Sequence, residues 1–111
     1  MATEYFTLPR VEMAVKYLAE SEEEYARLKA SIISEKKLLE VTLASLMMES
    51  PENSAAKSEM WAKNHQDYGK AIEIYHNVLE SYYLLDAKRH RAEQTIEVWR
   101  SVNSSRNRGH I

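Results

Sequence analysis

Six residues of the first half recur at intervals of seven without a miss: Val11, Leu18, Tyr25, Ile32, Leu39 and Leu46. Ala14, Val15, Leu28 and Leu43 fill intermediate positions. Such a repeat lays an apolar stripe along one face of a helix and excludes a strand, whose faces alternate every second residue. Over about 40 residues at ~1.5 Å rise, this helix would reach ~60 Å. Punctuation agrees, because Gly and Pro number two each in 111 residues. A turn-rich β protein needs many positive-φ corners, whereas long helices penalise both residues.

Breakers locate the elements. Glu49-Ser50-Pro51-Glu52-Asn53-Ser54 is the strongest. Pro51 suits the first turn of a second helix, with Ser50 as its cap. Ser21 followed by Glu24 reads as a capping box, which makes a break near residue 20 an alternative to a continuous first helix. In the second half Trp61, Tyr68, Ile72, Tyr75, Leu79 and Tyr82 follow spacings of 7, 4, 3, 4 and 3. The stripe continues through Leu85, Ala92, Ile96 and Trp99 after a small phase shift. Gly69 is the candidate kink, after the polar, helix-weak stretch Asn64-His65-Gln66-Asp67. The expectation is an all-α chain: an N-terminal arm (1–7), one long antiparallel helical hairpin (8–102, turn near 49–54), and a basic, flexible tail (103–111).

The apolar surface is wider than two helices cover. Leu38, Leu39, Val41, Leu43, Leu46, Met47 and Met48 on one side, and Ile74, Tyr75, Val78, Leu79, Tyr82, Tyr83, Leu84 and Leu85 on the other, wrap past a single stripe. Full burial of such side chains is worth roughly 1.5–3 kcal/mol each. That predicts self-association, most simply a dimer forming a four-helix bundle, through Val11, Leu18, Tyr25, Ile32, Leu39, Tyr75, Leu79 and Tyr82.

Chemistry is sparse. Cys is absent, which removes disulfides, thiolate metal sites and Cys nucleophiles, and makes a reducing interior the default location. No Gly-x-Ser-x-Gly elbow or phosphate-binding Gly loop exists. His65, His76, His90 and His110 form no i, i+4 pair. Glu73-x-x-His76 would matter only as half of a carboxylate-bridged metal site, and the stripe through Ile72, Tyr75 and Leu79 turns Glu73 outward. No run of ~18 apolar residues and no signal peptide is found. The expectations are therefore no enzyme, no cofactor, no metal and no membrane.

Charge is uneven. Residues 1–54 carry 6 basic and 10 acidic side chains; residues 55–111 carry 9 and 7. From residue 88 on, Lys88, Arg89, Arg91, Arg100, Arg106 and Arg108 face only Glu93 and Glu97. Cations at a helix C-terminus suit its dipole. Arg also suits bidentate contact with phosphate or carboxylate. In an antiparallel hairpin the Glu20, Glu22, Glu23, Glu24 cluster would face Lys88, Arg89 and Arg91, which leaves Arg100, Arg106 and Arg108 for a partner. Trp99, beside Arg100, is either seam or a surface on which a base stacks.

The stretch Lys88-Arg89-His90-Arg91-Ala92-Glu93-Gln94-Thr95-Ile96-Glu97-Val98-Trp99-Arg100-Ser101, closing with Asn103, Arg106, Arg108, Gly109 and Ile111, resembles the C-terminal end of small helical proteins of temperate bacteriophages. The likeness covers about the last 24 residues. It implies an accessory role in phage DNA recombination or host takeover, in the cytoplasm of the bacterial host, and carries no catalytic residues. Trp99, Arg100, Arg106 and Arg108 then contact single-stranded DNA or a DNA-processing protein. The alternative is a purely structural or adaptor oligomer, such as a phage assembly component.

Overall fold

The computed structural model describes residues 7–109, and the side chains of 7–106. Most of the expected N-terminal arm, the side chain of Arg108, and the last two residues lie outside the described part. Three helices account for the described chain: α1 (Leu8–Glu49), α2 (Ala55–Lys63) and α3 (Gln66–Gly109). The fold is all-α.

Helix α1 opens with the Thr7 carbonyl accepting the Val11 amide (3.1 Å). Pro9 sits in the first turn, where the missing N–H has no intrahelical partner to lose. The helix runs unbroken past Ser21. Ser21 is no cap, because its hydroxyl donates to the Tyr17 carbonyl four residues back (2.7 Å). The seven-residue stripe thus outweighs the local capping signal. Helix α1 stops at Glu49, one residue before the position that Pro51 biases out of helical geometry.

The cap of the next helix is not Ser50. The Ser50 hydroxyl accepts the Glu52 amide (3.1 Å) inside the turn. Ser54, with extended φ −119° and ψ 153°, caps α2 by accepting the Lys57 amide (3.2 Å). On α2, Glu59 bonds the Lys63 ammonium (2.9 Å) and attracts it, which raises the Lys63 pKa above the usual lysine value.

The second half is two helices, and Gly69 is not the break. Helix α2 ends at Asn64, whose amide bonds back to the Ala62 and Met60 carbonyls. His65 then starts α3 by accepting the Asp67 amide on Nδ1 (3.1 Å). Its ring lies 5.4 Å from that of Trp61. Gly69 is inside α3, and nothing lies within 4 Å of the Cβ it lacks. Gly69→Ala should therefore raise stability by about 0.5–1 kcal/mol, read from urea unfolding. At the other end α3 continues to Gly109, beyond the boundary expected at residue 102.

The helices pack as two compact units. One joins α1 up to Ala26 with α3 from Tyr83 onward; the other is Arg27–Tyr82. In the first unit α1 and α3 run antiparallel: Ser21 meets Arg89, and Tyr25, further along α1, meets the earlier Asp86. Its seam is Val11, Ala14, Leu18, Ser21 and Tyr25 against Leu85, Arg89, Ala92, Ile96 and Trp99, all buried or half-buried. In the second unit Leu46 and Ala62 are buried, with Ile32, Leu39, Trp61, Tyr75, Leu79 and Tyr82 half-buried. Along α3 the buried or half-buried positions 75, 82, 89 and 96, and 78, 85, 92 and 99, recur by sevens. No phase shift exists. The stripe looked shifted only because one seam position is an arginine.

Burial is thin. Among the described residues no large side chain is fully buried, and three of the five buried apolar residues are alanines. Large apolar side chains stay exposed in both units, Met13 and Tyr83 in the first, Ile33, Leu38, Val41 and Met48 in the second. Most lie beyond the seam, where the sequence expectation put the excess.

Candidate functional site

A polar layer interrupts the seam of the first unit. The Arg89 guanidinium donates from one nitrogen to the Leu18 carbonyl (2.8 Å) and the Ser21 hydroxyl (2.7 Å). It stacks over the Tyr25 ring at 4.6 Å. The Tyr25 hydroxyl in turn donates to Asp86 Oδ1 (2.7 Å). Arg89 is thus held inside the seam, by a carbonyl, a hydroxyl and a ring instead of the expected glutamate cluster. The reason is register: seam positions of facing helices meet each other, and the glutamates at 22, 23 and 24 lie on exposed positions. Glu20 pairs along its own helix with Lys16 (3.8 Å).

Next to this layer the first unit carries two adjoining open depressions that share Arg10, Arg91 and Thr95. One, of about 510 Å³, has Ala14 and Ala92 at its floor. These are the smallest apolar side chains of that seam, and a leucine at either position would take up part of the space. Met13 and Tyr17 complete its apolar lining, and Arg10, Lys88 and Arg91 supply its charge. No carboxylate lines it among the described residues. The other, of about 640 Å³, adds His90, Gln94, Val98, Glu93 and Glu97. Its acids have partners on α3: Glu93 is 3.7 Å from His90, and Glu97 is 3.3 Å from Arg100.

The expected partner-binding residues are dispersed. Trp99 is half-buried on the seam. Arg100 is exposed and bonded to Glu97. Arg106 is exposed on the last turns of α3. The structure brings none of these to the smaller depression, which instead takes Lys88 and Arg91 from the same basic run. Of the eight residues expected at an oligomer interface, Val11 is buried and the other seven are half-buried by the single chain. Arg10 and Tyr17 went unremarked in the sequence. Only the antiparallel register set by Ser21 and Arg89 places them beside residues 88–95.

Glu73 and His76 both face outward. Among the described residues no group of three or more His, Cys, Asp or Glu side chains is placed to hold a metal ion. Among the same residues no helix is long and apolar enough to cross a membrane. Compared with protein families, with curated proteins and with solved structures, the chain matches none of them.

Proposed function

We propose that this protein is a non-enzymatic accessory factor that works by binding a macromolecule in DNA metabolism, the setting that its C-terminal resemblance implies. The observation that carries the reading is the cation-lined depression, where Arg10 of α1 lies with Lys88 and Arg91 of α3. Phosphate is the anion that such a lining recognises repeatedly along a polymer. Arg100 and Arg106, further along α3, extend the basic surface. Binding of this kind releases counterions and falls with salt. With three phosphates neutralised on a single strand, affinity for an oligonucleotide should drop roughly 15- to 20-fold between about 50 and 200 mM salt. Fluorescence anisotropy reads this directly. No binding at low salt rejects the nucleic-acid reading.

A second reading, a structural or adaptor oligomer, rests on a different observation. Met48 is 89% exposed, Ile33 72% and Met13 70%, which is more apolar surface than a two-helix seam needs to leave wet. In this reading the chain is an antiparallel helical hairpin, and two copies complete a four-helix bundle. Sedimentation velocity over a hundredfold concentration range tests it: a dimer supports it, and a monomer throughout rejects it.

A further inference from the structure

We infer that the smaller depression of the first unit is a subsite for one nucleotide of a single-stranded nucleic acid, with Tyr17 as the surface on which the base stacks and Lys88 and Arg91 holding the flanking phosphates. The inference rests on the nucleic-acid reading above and names its ligand and its residues.

The depression has two chemistries. Arg10, Lys88 and Arg91 make one part of its lining cationic, and Met13, Ala14, Ala92 and the Tyr17 ring make another part apolar. A ligand that uses both is an anion joined to a flat apolar group, and a nucleotide in an unpaired strand is such a ligand. Duplex DNA would satisfy the cationic part alone, since its bases are stacked away inside the helix. Tyr17 is suited to stack because it is half-buried and attached to a rigid helix, so that little freedom is lost on contact. Arg89 itself, although the centre of the basic run, is spent inside the seam and contacts no strand.

The test uses the full chain and a labelled oligonucleotide of mixed sequence, single-stranded or annealed to its complement. The single strand should bind more tightly than the duplex. Tyr17→Leu, which keeps an apolar side chain and removes the ring, should weaken single-strand binding at least about fivefold and leave the salt slope unchanged. Tyr17→Phe should restore the affinity. Lys88→Gln should lower the salt slope by about 0.7, the contribution of one phosphate contact on a single strand. Helix content by circular dichroism should stay the same in all three. If the wild-type protein binds and Tyr17→Leu and Lys88→Gln change nothing, while Arg100→Gln with Arg106→Gln abolishes binding, the subsite is wrong and the nucleic-acid reading survives. If the wild-type chain binds neither strand form at low salt, that reading fails as well. Equal affinity for polyglutamate, lost with Lys88→Gln, would reassign the cationic part to an acidic protein.

Discussion

Arg89→Ala should lower the stability of the chain by about 2–4 kcal/mol, with a fall in Tm on the order of 10 °C. The alanine removes two charge-assisted hydrogen bonds, to the Leu18 carbonyl and the Ser21 hydroxyl, and the stacking on Tyr25. It also leaves a gap at a seam position with nothing to fill it. Arg89→Leu should behave differently. Leucine restores the apolar heptad, and replacing a charge held within a seam by a well-packed hydrophobe is often neutral or stabilising. Ser21 keeps its own partner, the Tyr17 carbonyl, so no polar group is stranded. The loss in Arg89→Leu is specificity. A single polar layer in a heptad seam penalises every other register, because a shift of one turn would bury the guanidinium against apolar residues. Urea unfolding compares the two variants, and hydrogen exchange or size-exclusion chromatography reads the register. Equal destabilisation by Ala and Leu would show that the polar layer matters for fold stability and not for register.

The same position shows where sequence reasoning succeeded and where it stopped. The stripe through Val11, Leu18 and Tyr25 was legible because identical spacing repeats over many turns, which outweighs any single residue. Thus α1 passes Ser21 without a break despite the capping box there. Arg89 departs from the expected glutamate pairing because a charge is normally matched to a charge outside the seam, and one charged seam residue makes a regular heptad look out of phase. Local breakers were read to within a few residues. Ser54 and not Ser50 caps α2, since two serines flank one proline and only the backbone geometry chooses between them. The depression was half legible. Lys88 and Arg91 stood out as part of a basic run, whereas Arg10 and Tyr17 belong to it only through the register of α1 against α3. A sequence without an alignment carries no direct record of that register.

Leu46→Ala should be the most damaging truncation in the second unit, at about 2–4 kcal/mol. Leu46 is 4% exposed, and it is the only buried side chain larger than valine among the described residues. In so thin a structure one such anchor is a large share of the total, since small domains are marginal to begin with. Two neighbours on α1 calibrate the effect. Leu39 is half-buried and should lose less on truncation to alanine. Leu38 is 52% exposed, and Leu38→Ala should cost under about 0.5 kcal/mol if the single chain is the stable species. The comparison decides more than a ranking. A second copy laid over Leu38, Val41 and Met48 would bury them, and Leu38→Ala would then rival Leu46→Ala. Its cost would also grow with protein concentration, because association stabilises only the folded state. Urea unfolding of the three variants at two concentrations a hundredfold apart distinguishes the cases. A graded, concentration-independent series makes the single chain self-sufficient, and a Leu38→Ala loss that rises with concentration makes the exposed face of α1 an interface between copies.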